Sequence, residues 1–260
     1  MLKRFQTDFK VVAVENIGDY YYMLSLKHPE KLPVMLPGQF VQVQIPDSAN
    51  TYLRRPISIH DFDYSAGLMH LLIRKAGHGT KLLSTIAVGE SVNILYPLGN
   101  GFDIQGMGNR PLLIGGGVGV APLYALAKEA QSQQKEVYAL LGARSSKDLL
   151  CLDKFEKTTV KTEVTTEDGS LGTKGMVTNH VYMNDMLSMF TSLVVCGPMP
   201  MMRAVASIAE KAGIPCQVSL ENKMACGIGA CLCCVTEDKD GHNKCVCTEG
   251  PVFDSKELKW

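Results

Sequence analysis

The stretch from Cys226 to Cys247 constrains this chain most. It reads Cys226-Gly-Ile-Gly-Ala-Cys231-Leu-Cys-Cys234, then a polar run, then Cys245-Val-Cys247. The spacing C-x4-C-x2-C with a distant further cysteine is the one at which four thiolates hold a [2Fe–2S] cluster. Soft thiolate ligands suit sulfide-bridged iron. Gly227 and Gly229 permit positive φ and bring backbone N–H groups close to the cluster sulfurs. Structural zinc is the competing reading, because Cys231-x2-Cys234 with Cys245-x-Cys247 also makes a closed tetrahedral set. It leaves Cys226 and both glycines without a role. Spacing selects Cys226, Cys231 and Cys234, and Cys247 is preferred over Cys245 as the fourth ligand. Cys233 and Cys245 then stand outside the ligand set.

Nine cysteines, most of them in this one stretch, suit metal chemistry in a reducing cytoplasm better than a disulfide scaffold. A net charge of zero points away from nucleic acid and anionic membranes. The polar start, Met-Leu-Lys-Arg-Phe-Gln-Thr-Asp-Phe, predicts no signal peptide. The most apolar run, Pro111 to Ala127, is interrupted by Gly115, Gly116, Gly117, Gly119 and Pro122 and predicts no membrane helix. With 260 residues there is room for two domains and a small appendage.

Before Leu98, short β-rich runs alternate with turn residues. Lys10–Val14, Tyr20–Leu26, Gln39–Ile45, Pro56–His60, Met69–Arg74 and Ser91–Leu95 are six predicted strands, with Asp61 to Gly67 among the turns. Many short strands with regular turns predict a sandwich or closed barrel. Two strand ends are basic: Arg54-Arg55-Pro56-Ile57-Ser58 and Ile73-Arg74-Lys75. Arginine at such an end suits a bidentate grip on a pyrophosphate. Gly79-Thr80 opening a short helix offers free N–H groups to a second phosphate. Singly, each of these is commonly no more than a solvated strand end.

From Pro111 the pattern changes to alternating strand and helix, which predicts a parallel α/β sheet. Pro111-Leu-Leu-Ile runs into Gly115-Gly116-Gly117-Val-Gly119-Val-Ala-Pro122, a strand, a glycine turn and a helix start. That order lets a pyrophosphate approach the backbone at the helix N-terminus. The bland alternative is a packing turn. A strand at Glu136–Leu141 ends in Gly142-Ala-Arg144-Ser145, where an adenosine ribose would sit, followed by a strand at 161–166 and a helix near Val177–Asn184. The strand Ser192–Cys196 ends in Cys196-Gly197-Pro198 and a methionine-rich helix; a cysteine there is also an ordinary core thiol.

Together, and in this order, the motifs resemble the ferredoxin-reductase superfamily. Arg55-Pro56-Ile57-Ser58 is similar to its R-x-Y-S flavin signature, with Ile57 in place of the aromatic, and Cys196-Gly197-Pro198 to its C-G-P element beside the nicotinamide. The tail Ser219-Leu-Glu221-Asn222-Lys-Met224-Ala-Cys226 and the run Cys247-Thr-Glu-Gly250-Pro251-Val-Phe253 resemble, more narrowly, the electron-transfer subunits of B-type, NAD-dependent dihydroorotate dehydrogenases. The resemblance covers essentially the whole chain. It implies a multi-domain fold: an antiparallel FAD-binding β-barrel over 1–102, an α/β NAD-binding domain with a parallel sheet over 103–218, and a small [2Fe–2S] cluster domain over 219–260. It implies Cys226, Cys231, Cys234 and Cys247 as iron ligands. It implies Arg55, Pro56, Ile57, Ser58, Ile73, Arg74, Lys75, Gly79 and Thr80 around FAD, and Gly115, Gly116, Gly117, Gly119, Cys196, Gly197 and Pro198 around NAD. It further implies a cytoplasmic heterotetramer with an FMN-containing catalytic subunit, electrons passing from FMN through cluster and FAD to NAD+. Flavin suits that junction because it takes one electron or two. No dihydroorotate site is recognisable in the chain. Whether Arg144 and Ser145 clasp a 2′-phosphate or hydrogen-bond ribose hydroxyls, the loop leaves open. Two other functions remain: a free-standing NAD(P)H–acceptor reductase, and a zinc-stabilised interaction module on a degenerate reductase scaffold.

Overall fold

A computed structural model describes residues 3–46 and 51–260. Strands β1 (Phe5–Ile17), β2 (Tyr21–Lys27), β3 (Phe40–Val43), β4 (Arg55–Ser58), β5 (Asp61–Asp63), β6 (Leu68–Arg74) and β7 (Ser91–Leu98) form one antiparallel sheet in the order β4-β3-β7-β1-β2-β6-β5. The six predicted strands are present. β5 is an addition, lying inside the stretch read as a turn, where Asp61 and Asp63 pair with His70 and Leu68. It closes the barrel. β4 and β5 are consecutive parts of one extended run that changes partner at Ile59 and His60. The Ile59 N–H donates to Gln39 on one side (3.0 Å), and the His60 N–H donates to His70 on the other (2.9 Å). The two sheet edges are thus one chain segment, and no edge stays open for misassociation there. Val11, Leu24, Val41, Val43, Leu71 and Ile94 fill the interior. Helix α1 (His78–Leu83) lies between β6 and β7.

The second sheet is parallel over most of its width. It contains β8 (Pro111–Gly116), β9 (Tyr138–Ala143), β10 (Lys161–Thr166), β11 (Thr173–Lys174), β12 (Ser192–Cys196) and β13 (Cys216–Ser219). Helices α2 (Ala121–Ser132), α3 (Leu152–Thr158) and α4 (Met199–Ala212) connect and cover these strands. β8 is buried throughout, as a strand between two helix layers must be. The order β11-β10-β9-β8-β12-β13 reverses direction between β8 and β12. That reversal creates a crevice at their carboxyl ends, the place where such sheets bind ligands. The helix expected near 177–184 is instead two 3-10 turns, Val177–Asn179 and Val181–Met183. His180 Nδ1 accepts the Tyr182 N–H (3.2 Å), and Asn184 Nδ2 donates to the carbonyls of Thr178 and His180, so side chains take over the bonds a helix would make.

The cysteine segment is a small lobe around the hairpin β14 (Val235–Glu237) and β15 (Asn243–Cys245). The chain then returns: β16 (Val252–Asp254) pairs antiparallel with β13 and extends the dinucleotide sheet. The three parts share cores. Phe40 and Leu98 of the barrel pack in one apolar cluster with Leu112, Val195 and Val218 of the parallel sheet and with Cys234, Cys245, Val246 and Cys247. Polar contacts join the barrel to α2: His60 Nδ1 pairs with the Ala121 carbonyl (3.1 Å), and the Ala125 N–H donates to the His60 carbonyl (3.1 Å). No helix among the described residues is long and apolar enough to cross a membrane.

Candidate functional site

Two motifs far apart in sequence meet at the barrel rim. A methyl group on Gly79 would lie 2.8 Å from Arg55 Nε, so the Arg55 guanidinium rests against the start of α1. Arg54 is spent on structure: its guanidinium donates to the carbonyls of Gln42 (3.3 Å) and Asn93 (3.0 Å). Thr80 caps its own helix, its hydroxyl donating to the Gly77 carbonyl (3.1 Å) and accepting the Gly77 N–H (3.1 Å). The Thr80 hydroxyl is therefore engaged within its own helix start. Ile73 is buried in the barrel interior. Lys75 is drawn to Asn16 Oδ1 at 2.9 Å.

A cleft of about 540 Å³ opens between barrel and parallel sheet, at the crevice between β8 and β12. Gly116, Gly117 and Gly119 line one wall, Gly197 and Pro198 the next, and Arg144, Asp148 and Glu167 the far end. Gly119 is where glycine is obligatory for packing: a Cβ there would lie 2.4 Å from the Cys196 carbonyl oxygen, which is backbone and cannot swing away. The predicted glycine turn and the Cys-Gly-Pro element are thus in direct contact. Gly115 lies deeper, where a Cβ would meet Val120 at 2.7 Å. The Cys196 side chain turns into the core, and burial holds its thiol well above the usual range. Its neighbours Gly197 and Pro198, rather than its sulfur, face the cleft.

Arg74 was expected beside a flavin phosphate. It lines the cleft, with Tyr21 opposite it in the β2–β6 register and Glu221 nearby. Glu221 is exposed along the cleft, with protein packed close around its carboxyl. That enclosure raises its pKa, and the Arg74 charge works against it. The sequence does not mark Tyr21 as a site residue, and it names Glu221 only within the tail motif. Tyr21 opens β2 and Glu221 follows β13 by two residues, and neither belongs to a spacing that would betray a cleft position.

The cysteine loop has the backbone its glycines predict, with φ of +71° at Gly227 and +87° at Gly229. Three backbone amides point at sulfur: Ile228 N–H to Cys226 Sγ (3.4 Å), Gly229 N–H to Cys247 Sγ (3.2 Å) and Cys247 N–H to Cys234 Sγ (3.4 Å). Burial opposes ionisation of Cys226, yet the N–H groups of Ile228, Cys231 and Ala230 pull its thiol down to about 6. Thiolate character of this kind is what a metal ligand requires. The sulfurs fall into neighbouring pairs, Cys226 with Cys231 and Cys234 with Cys247. Two irons bridged by sulfide need two thiolates each, so the donor set fits the cluster. Cys245 is also close, its sulfur 3.7 Å from Cys234 and 3.6 Å from Cys247. Cys231 and Cys233 are exposed, and Leu232 between them is 62% exposed.

Comparison with known proteins follows the same division. Residues 8–102 match an oxidoreductase FAD-binding domain and residues 113–207 an oxidoreductase NAD-binding domain. Residues 221–259 match the iron–sulfur cluster binding domain of dihydroorotate dehydrogenase B, which favours iron–sulfur over zinc for the cysteines. Fold and site thus define a flavin- and NAD-dependent oxidoreductase of the ferredoxin-reductase type that carries a [2Fe–2S] domain. The electron transfer subunit of dihydroorotate dehydrogenase B (NAD(+)) from Desulforamulus reducens is 37% identical over 97% of this chain and 98% of its own. Its counterpart from Caldanaerobacter subterraneus subsp. tengcongensis is 40% identical over 98% and 99%. The chain belongs to the family of dihydroorotate dehydrogenase B electron-transfer subunits. A solved NADH-dependent reduced ferredoxin-NADP oxidoreductase, studied for flavin-based electron bifurcation, superposes with a TM-score of 0.86 at 30% identity, over 97% of this chain and 90% of that one. The ferredoxin reductase of carbazole 1,9a-dioxygenase, at 23% identity and a TM-score of 0.70 over 82% and 68%, shares the fold.

Proposed function

We propose that this chain carries electrons from the FMN of a dihydroorotate dehydrogenase catalytic subunit, through a [2Fe–2S] cluster and FAD, to NAD+ in pyrimidine biosynthesis. The assembly is two of each subunit. The units are 1–102 for FAD, 103–218 for NAD and 219–260 for the cluster. The packing of the cysteine loop on the outer face of β3, the strand paired with β4, carries this reading. It sets a one-electron centre beside the strand bearing Arg55-Pro56-Ile57-Ser58, while the dinucleotide cleft approaches the barrel from the β2–β6 side. When bound, cluster and flavin together turn single electrons into a hydride equivalent.

The protein's share is binding and orientation. Cys226 and Cys231 hold one iron, and Cys234 and Cys247 the other. The exposed Cys231–Cys233 edge is the side open to a partner. Arg55 and the α1 amides hold the FAD pyrophosphate, while Ser58 and the backbone of Ile73–Lys75 face the flavin. Gly115–Gly119 and Cys196–Pro198 present backbone to NAD. Arg55→Ala removes a charge-assisted phosphate contact of about 1.5–3 kcal/mol, so FAD affinity falls roughly 10- to 100-fold. FAD content equal to wild type after extensive dialysis would count against that assignment.

At the far end of the cleft Arg144 shares its surroundings with Asp148 and Glu167. Ser145 donates to Asp148 Oδ2 at 2.9 Å instead of standing free. Carboxylates accept hydrogen bonds from ribose hydroxyls and repel a 2′-phosphate. NADH is therefore the better substrate, by about tenfold or more in kcat/KM. Equal values for NADH and NADPH would overturn this. A free-standing reductase is the second reading, favoured by the 0.86 superposition on the ferredoxin-NADP oxidoreductase chain. Gel filtration separates the two: co-elution with a dihydroorotate dehydrogenase catalytic subunit is expected, and independent elution sinks the relay.

A further inference from the structure

The outer face of β3 holds a polar group that the proposed relay does not yet use. Side chains alternate along a strand. Val41 and Val43 fill the barrel interior, while Phe40 packs outward in the cluster that contains Cys234, Cys245 and Cys247. Gln42 shares that outward face and is 0% exposed. Its Nε2 and Oε1 are both buried, and neither has a hydrogen-bond partner among the described residues. Buried amides are nearly always satisfied, and an orphan of this kind calls for an explanation.

The side chain ends at the cysteine loop. A methyl group at Gly227 would lie 2.7 Å from both Cγ and Nε2 of Gln42. Gly227 therefore needs to be glycine twice, for its φ of +71° and for room beside Gln42. Across the sheet Gln42 pairs with Pro56 of β4. The amide thus sits between the flavin signature and the residue that follows Cys226. The adjoining loop amides of Ile228 and Gly229 already donate to cysteine sulfur. An iron–sulfur cluster offers only acceptors, and Nε2 offers two donors.

We propose that the Gln42 side-chain amide donates a hydrogen bond to the sulfur atoms of the [2Fe–2S] cluster and seats the cluster loop on the flavin barrel. This rests on the cluster assignment made above. Gln42 is a positioning residue for the cluster, and it also tunes it. Donors to cluster sulfur stabilise the more negative, reduced form and raise its potential.

The test is a redox titration of the purified FAD- and iron-loaded chain, following the electron paramagnetic resonance signal of the reduced cluster. Gln42→Met keeps the shape and removes the donor. Gln42→Glu keeps the shape and replaces the donor with a negative oxygen. Both should lower the cluster midpoint potential, Glu more than Met, with FAD content and the flavin potential unchanged. Potentials equal to wild type in both variants overturn the proposal. So does a shift confined to the flavin, which would assign the amide to the other side of the junction. If Gln42→Met loads no iron, Gln42→Asn, which keeps the amide, should restore loading; loss of iron in both overturns it. A wild-type chain without the signal would instead remove the cluster assignment itself.

Discussion

Replacing Cys226, Cys231, Cys234 or Cys247 singly with alanine is expected to abolish the electron paramagnetic resonance signal of the reduced cluster or to prevent its assembly. Cys233→Ala and Cys245→Ala should keep it. The discriminating position is Cys245. Proximity alone would include it, since its sulfur lies within 3.7 Å of two others, and Cys234, Cys245 and Cys247 form the tightest sulfur group. The backbone amides favour the other choice. The N–H donors of Ile228, Gly229 and Cys247 are aimed at Cys226, Cys247 and Cys234. Donors placed this way stabilise negative sulfur, the form in which cysteine binds iron. None of these three amides ends on Cys245, although its neighbours pull its own thiol below the usual range, so the alanine series decides between Cys245 and Cys247. Loss of iron in Cys245→Ala together with retention in Cys247→Ala would reverse this choice.

The parts legible in the sequence are those where chemistry demands a residue type at fixed spacing. Cysteine thiolates, the glycines of the β8 turn and the Cys196-Gly197-Pro198 element are of that kind. Their contact could not be read: Gly119 against the Cys196 carbonyl joins positions far apart in the chain. Arg55 and Gly79 meet in the same way. Strand existence followed from alternation, but the closing strand β5 was hidden because Asp61 and Asp63 are turn formers and only pairing with β6 makes them strand. The segment 177–184, mostly Val, Thr, Asn, His and Tyr of middling helix propensity, is no helix because His180 and Asn184 bond the local backbone. Tyr21 and Gln42 left no signal of a site, and Glu221 showed only as one letter of the tail motif. The meaning of each comes from what tertiary packing sets opposite it. Arg74 stands out in the sequence as a basic strand end; in the fold it lines the cleft near Glu221, since its side of β6 turns toward the parallel sheet.

The order of the relay predicts a separation of two activities. The isolated chain should oxidise NADH with an artificial dye and leave dihydroorotate untouched, because the barrel and cleft serve flavin and dinucleotide. Adding the FMN-bearing catalytic subunit should confer transfer from dihydroorotate to NAD+. A cluster-free variant such as Cys231→Ala, shown by gel filtration to bind the partner still, should lose that transfer while its NADH–dye rate stays near wild type. The reason is geometric. The dinucleotide cleft is lined by Tyr21, Arg74, Gly116–Gly119 and Gly197, and none of these belongs to the cysteine loop. Hydride exchange between NADH and flavin therefore does not pass the cluster, and a dye takes electrons at the flavin. The partner's electrons must arrive from outside the chain. Cys231 and Cys233 are exposed on the lobe seated against β3, so a cluster held there would stand between that surface and the β4 flavin signature. Dihydroorotate oxidation by the isolated chain sinks the order FMN, cluster, FAD, NAD. Unimpaired dihydroorotate-to-NAD+ transfer in the cluster-free complex sinks it equally, since electrons would then have reached the flavin by another path.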